Sequence, residues 1–177
     1  IFVSLGVKKI RLTGGEPLLR QGIEDLVSIL TRIEGLEDLT LTTNGFLLAQ
    51  KAKALKAAGL NRITVSLDSL DERVFKQMSG RDFAPKQVLD GIREAAEVGL
   101  YPIKINVVVQ RGVNDHHLVE LARYVKGLGH IARFIEFMDV GTRNGWNMER
   151  VVSADEIVER IGRELPVDPV KEAYRGE

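Results

Sequence analysis

The sequence predicts an α/β fold built as an incomplete (β/α) barrel. Three observations carry that prediction. Short β-branched runs alternate with longer amphipathic stretches, each run alternates apolar with polar residues, and the polar residues of chemical interest gather where the runs end.

The runs read as strands are Lys8–Leu12, Asp38–Thr42, Arg62–Leu67, Tyr101–Val109 and Ala132–Phe137. Helices are predicted over about Ile23–Ile33, Leu47–Ala58, Lys86–Val98, Asp115–Lys126 and Ala154–Arg163. Leu26, Ile29, Leu30 and Ile33 recur at helical spacing and so share one face. Ser153 with Glu156 forms a capping-box pattern ahead of Ile157 and Ile161. Asn114 and Asp115 suit the start of the helix that follows them. A strand–helix alternation of this kind implies parallel strands joined by helical crossovers.

Either a doubly wound sheet or a barrel satisfies that order. Strand composition favours the barrel, because strands of a doubly wound sheet are usually apolar on both faces. Here Ile10 and Leu12 oppose Lys9, Arg11 and Thr13. Leu39 and Leu41 oppose Thr40 and Thr42; Ile63 and Val65 oppose Thr64 and Ser66; Ile103, Ile105 and Val107 oppose Lys104 and Asn106. A polar face shared by parallel strands needs water or a polar ligand. A ligand-holding lumen supplies one, and an open sheet with one wet face is the alternative.

The composition is that of a single globular domain spanning residues 1–177, with 25 basic and 25 acidic residues. This balance points to no nucleic-acid or membrane partner. No apolar run approaches the roughly 20 residues of a membrane span. The first residue is Ile1, and Ile1 to Val7 reads like the end of a helix already under way, so the chain is expected to be truncated at both ends. With 0 cysteines it offers neither disulfide nor thiolate metal site. His116, His117 and His130 lack ligand spacing and are read as surface residues, so no metal ligand is assigned.

Four polar groups end strands: Thr13-Gly14-Gly15-Glu16-Pro17, Thr42-Thr43-Asn44-Gly45, Ser66-Leu67-Asp68-Ser69 and Glu136-Phe137-Met138. Barrel active sites lie at those ends. Two glycines let backbone approach a ligand, and the adjoining carboxylate can accept from an ammonium group. Lys9, Arg11 and Lys104 are inward cations, and a charge in a lumen requires a partner. That partner is either an anionic ligand or Asp68 or Glu136 within the barrel. Thr42 and Ser66 supply inward hydroxyls. Trp146, in the polar loop 141–147, either shields the barrel mouth or anchors the loop.

With these residues in view, the chain resembles a known family. Lys9-Ile-Arg-Leu-Thr-Gly-Gly-Glu-Pro-Leu-Leu-Arg20, Leu41-Thr-Thr-Asn-Gly45, Val65-Ser-Leu-Asp-Ser69, Lys104-Ile-Asn-Val-Val-Val109 and Arg133-Phe-Ile-Glu-Phe-Met138 are similar to the molybdenum-cofactor GTP cyclases of the radical S-adenosylmethionine superfamily. The likeness runs on to Asp168-Pro169-Val170. The Gly-Gly-Glu-Pro segment indicates the superfamily, and the Arg-Phe-Ile-Glu-Phe-Met and Lys-Ile-Asn segments narrow it to the cyclases.

The resemblance implies a partial, TIM-like barrel and a role for each residue. Gly15, Ser66 and Met138 would contact S-adenosylmethionine. Arg11, Thr42 and Lys104 would bind GTP, with Lys9 and Arg133 as weaker candidates for the triphosphate. In that family a 4Fe–4S cluster cleaves the cofactor reductively, and the 5′-deoxyadenosyl radical abstracts hydrogen from the GTP ribose. The ribose carbon then attacks C8 of guanine, giving (8S)-3′,8-cyclo-7,8-dihydroguanosine 5′-triphosphate. The cluster cysteines of the family fall before the first strand and after residue 177, so the ligands are expected outside this chain. No residue here is assigned as a catalytic acid or base, and the chain alone is expected to be inactive. The family is cytoplasmic and often homodimeric. Two other readings remain at this point: another radical S-adenosylmethionine enzyme, for instance a peptide-modifying one, or a cluster-free nucleotide-binding barrel.

Overall fold

The computed structural model describes residues 1–141 and 145–170. Residues 142–144 of the polar loop noted above lie outside the described residues.

Five parallel strands form one sheet: β1 (Lys9–Leu12), β2 (Asp38–Thr43), β3 (Arg62–Ser66), β4 (Lys104–Val109) and β5 (Ile131–Glu136). Their spatial order is their order in sequence. A doubly wound sheet reverses direction at a switch point, and this sheet does not. Right-handed crossovers in one constant direction set every helix on the same face, which is how a barrel wall is built.

The helices are α1 (Ile23–Thr31), α2 (Leu48–Ala57), α3 (Glu72–Ser79), α4 (Pro85–Glu97), α5 (Leu118–Gly127) and α6 (Ala154–Gly162). The apolar strand residues pack beneath them. Leu39, Leu41, Ile63, Val65, Ile105 and Val107 are buried in one cluster with Val27, Leu48, Leu55, Val88, Ile92 and Val125. Each such side chain removed from water contributes about 1.5–3 kcal/mol. The alternation expected from sequence is therefore the division between helix face and polar face.

The boundaries moved for physical reasons. The fourth strand begins at Lys104, not Tyr101, because its pairing with β3 starts at Thr64↔Lys104 and Pro102 has no N–H to give a ladder. Asp115–His117 is a 3-10 turn, and the helix proper begins at Leu118. Helix α3 was not anticipated. It is eight residues long, starts at an Asp71 cap that accepts from Val74 N at 2.9 Å, and buries Val74 and Phe75. The capping-box pattern at α6 is half realised. Ser153 Oγ accepts from Glu156 N, but the Glu156 carboxylate turns to Arg111 and Arg160.

Asn114 does not cap its helix. It is buried, and it joins the ends of two strands instead. Its Nδ2 donates to the carbonyls of Asp68 and Val108, each at 2.8 Å, and its Oδ1 accepts from Gln110 N at 2.8 Å.

Candidate functional site

Because all strands run the same way, the loops after them meet at one end of the sheet. The first loop carries Gly14, with φ +142°, a region L side chains rarely adopt. A Cβ built at Gly14 or Gly15 meets nothing within 4 Å, so the space above this backbone is open. Beside it, Glu16 caps the 3-10 turn Pro17–Leu19 and accepts from Leu18 N at 3.0 Å. The same carboxylate reaches the second loop, accepting from Thr43 Oγ1 at 2.6 Å and Asn44 N at 2.7 Å. Sequence reasoning offered Glu16 to an ammonium group; in the structure it braces two strand-end loops.

The second loop is held from behind. Gly45, at φ +80°, leaves no room for a side chain: a Cβ would lie 2.7 Å from Val88 Cγ1 and 3.0 Å from Val65 Cγ1. This packing fixes the backbone that follows Thr42 and Thr43.

On the polar face of the sheet, register sorts the predicted residues into ranks. Arg11 pairs with Thr40, and Thr40 with Arg62. Thr42 pairs with Thr64, and Thr64 with Lys104. Nearer the carboxyl ends, Ser66 pairs with Asn106, and Asn106 with Arg133. Thr42, Ser66 and Lys104 are half-buried, and Arg11 is exposed on the edge strand. Arg11, Thr42, Lys104 and Ser66 thus share one surface, with Lys9 at its margin. Gly15 sits on the loop beyond β1, and Met138, 55% exposed, lies beyond β5.

Among the strand residues of this face the carboxylate is Asp38, facing Lys9 in register. Arg62 donates to it from Nε at 3.0 and 3.1 Å and also from a terminal nitrogen. The Arg62 hydrogen bonds, aided by the nearby charges of Lys9 and Arg11, hold the Asp38 carboxyl below its ordinary range. Sequence reasoning named Glu136 and Asp68 as inward partners and missed Asp38. Glu136 has the opposite parity, and its Oε1 accepts from Ala154 N at 2.6 Å, at the start of α6. Asp68 Oδ1 accepts from Val108 N at 2.8 Å. The face also carries two buried acceptors with no partner among the described residues, Thr40 Oγ1 and Asn106 Oδ1. Asn106 was placed on the polar face by alternation but was not singled out.

Asp68 and Met138 line one cavity of about 490 Å³, with Gln77, Val108, Gln110 and Phe137 among its other walls. Burial raises the Asp68 carboxyl to about 6, opposed by the Val108 N–H bond. Trp146 Nε1 donates to Phe137 O at 3.0 Å, so the indole anchors its loop beside that cavity. His116 and His117 stack on each other with centroids 4.0 Å apart, His116 is well exposed, and the described residues hold no cluster able to ligate a metal. Among the described residues no helix is long and apolar enough to cross a membrane.

Comparison with known proteins agrees with this geometry. The GTP 3',8-cyclase of Xanthomonas axonopodis pv. citri is 52% identical over 176 residues, which is 99% of this chain and 53% of that protein. The GTP 3',8-cyclase of Staphylococcus saprophyticus is 47% identical over 177 residues, 100% of this chain and 52% of that protein. The chain spans about half the length of the curated relatives it matches. Among solved structures, a radical SAM methyltransferase from Sphaerobacter thermophilus aligns with TM-score 0.69 at 20% identity, over 90% of this chain and 49% of that one. Coproporphyrinogen III oxidase from Escherichia coli aligns with TM-score 0.66 at 13% identity, over 89% of this chain and 39% of that one. Both solved structures are radical SAM enzymes, which identifies the sheet as a TIM-like partial barrel. The Radical SAM superfamily profile matches residues 1–125, well over half the sequence, and the chain belongs to that superfamily.

Proposed function

We propose that this chain is the barrel core of a GTP 3′,8-cyclase, the enzyme that opens molybdenum-cofactor synthesis. The reading takes residues 1–177 as part of a longer cytoplasmic protein, in line with relatives about twice the length. The observation that carries it is the polar face, where register brings Arg11, Thr42 and Lys104 onto one surface of neighbouring strands, with Lys9, Arg62 and Arg133 on the same face. A polyanion suits that surface, and cations on strands with guanidinium or ammonium donors suit phosphate oxygens.

In this reading Arg11 and Lys104 hold the triphosphate of GTP and Thr42 donates its hydroxyl to the same substrate. Gly15, Ser66 and Met138 hold S-adenosylmethionine. The residues fit that cofactor: the open space over Gly14 and Gly15 admits backbone contact with a ligand. The Asn106 acceptor beside Ser66 is buried without a partner among the described residues. When bound and given one electron by an external reductant, the cofactor would supply 5′-deoxyadenosyl radical chemistry toward the substrate ribose. The chain's own part is to orient the ribose against the cofactor and to restrict water. With 0 cysteines, these 177 residues offer no thiolate to a 4Fe–4S cluster. The same reading carries homodimerisation as a proposal.

The test is GTP binding by calorimetry to the full-length protein and its Arg11→Ala and Lys104→Ala variants. Each substitution weakens binding by about tenfold or more. Unchanged affinity in both variants refutes GTP as substrate and returns the chain to another radical SAM chemistry.

A further inference from the structure

The ladder that carries β5 stops short of Met138. Pairing between β4 and β5 ends at Val109↔Glu136, so Phe137 and Met138 lie beyond the last paired residue. Within the five-stranded sheet β5 also lies at one edge. Met138 is 55% exposed and lines the cavity of about 490 Å³ with Phe137, Val140 and Gln110. A methionine side chain turns about three bonds and conforms to what it meets. Where it makes contact is therefore decided by the backbone that carries it, and here the ladder has already ended.

The hold on that backbone comes from further along the chain. Trp146 Nε1 donates at 3.0 Å to Phe137 O, the carbonyl of the peptide group that joins Phe137 to Met138. Trp146 is tied down in turn. Asn147, next in sequence, caps the 3-10 turn Met148–Arg150 and accepts from Arg150 N at 3.1 Å. That turn is fastened to the exit of β4, where Arg111 N donates to Arg150 O at 2.9 Å and Val151 bridges to Gln110. Arg111 Nη2 also donates to Val151 O at 3.0 Å. Glu136, the residue before Phe137, accepts from Ala154 N at 2.6 Å. The chain that leaves β5 at Phe137 is thus returned to its own starting point by Trp146 and to β4 by Val151. What this fixes is the peptide from which Met138 projects.

We infer that Trp146 is a positioning residue for S-adenosylmethionine that acts through Met138. Its N–H pins the Phe137 carbonyl and so sets the direction in which the thioether meets the cofactor. The inference rests on the cofactor assignment made above.

The experiment measures equilibrium binding of S-adenosylhomocysteine and of GTP to the full-length protein with its cluster in place. Trp146→Phe keeps an aromatic ring and removes the N–H. It binds S-adenosylhomocysteine about tenfold more weakly and GTP as well as the unsubstituted protein does. Met138→Ala also loses about tenfold for S-adenosylhomocysteine. The double variant loses about tenfold and not about a hundredfold, because both substitutions break one line of contacts.

An anchor that served the loop's stability alone would give additive losses, or would weaken both ligands equally. Either pattern, or unchanged S-adenosylhomocysteine affinity in Trp146→Phe, overturns the inference and leaves the cofactor assignment standing. If Met138→Ala binds S-adenosylhomocysteine normally, or the unsubstituted protein does not bind it, the role of Met138 falls and the inference falls with it.

Discussion

Glu16 and Thr43 are joined by a 2.6 Å hydrogen bond that runs from the hydroxyl on β2 to the carboxylate after β1. The same carboxylate takes Asn44 N, so one side chain holds two strand-end loops in register. The open glycine backbone lies immediately before it.

Glu16→Gln removes one acceptor and leaves a partly buried N–H unsatisfied. The expected loss is about 1–3 kcal/mol of stability, read from the denaturant midpoint. Thr43→Val breaks the same link from the other side. A double-mutant cycle on the pair therefore gives less than the sum of the single effects. Full additivity contradicts the brace.

Gly15→Val separates folding from binding. A Cβ at Gly15 meets no atom within 4 Å, so the variant melts close to the unsubstituted protein. It nevertheless fills the space above the loop and blocks S-adenosylmethionine. A thermal melt beside a cofactor titration checks both halves, and normal cofactor affinity in the variant removes Gly15 from the site.

Asp68 sets a pH dependence on the alkaline side of its titration. Its carboxyl is raised to about 6 by burial, so the folded chain holds a proton that the unfolded chain has released. Stability from this group is full below the unfolded value and falls as pH rises from roughly 4 to 6. The loss is at most about 3 kcal/mol, two pKa steps. Asp68→Asn should accordingly raise the melting temperature by a few degrees at neutral pH and leave it nearly unchanged at about pH 4. A variant that melts lower at neutral pH sinks the argument.

Glu156 acts in the opposite direction. Hydrogen bonding to Arg111, with Arg160 adding to it, lowers its carboxyl to about 2. The stabilisation is present above the unfolded carboxylate value and is lost as pH falls from roughly 4.5 to 2. Arg111 lies beyond β4 and Arg160 on α6, and Arg160 also holds Asp115 at 2.9 Å. The protection of α6 amides, measured against their intrinsic exchange rate at each pH, should fall on acidification across that window. In Glu156→Gln the protection should be low already and change little.

Most of the fold was legible because its signals are local. Alternation along Leu39–Leu41 or Ile105–Val107 separates helix face from polar face without any tertiary knowledge, and the ranks containing Arg11, Thr42, Ser66 and Lys104 follow from it. Helix α3 escaped because only Val74 and Phe75 of its eight residues are buried, too few to register as a stripe. Asn114 carried the composition of a cap, and a cap and a strand staple use the same amide. Asp38 and Glu136 were misjudged because partnership depends on which strand lies alongside. Asp38 meets Arg62, 24 residues away, and Glu136 meets a helix start 18 residues on. The role of Glu16 was hidden likewise, since its partners Thr43 and Asn44 become neighbours only when β1 and β2 pair.

The monotonic strand order also bears on how the chain is made. Every strand pairs with strands adjacent to it in sequence, and no strand inserts between two earlier ones. A chain synthesised from its amino end can therefore lay each strand–helix unit on an edge already in place, growing in one direction like a wall built course by course. Each pairing closes over one strand–helix unit, so no strand waits on a partner more than one strand away in the chain.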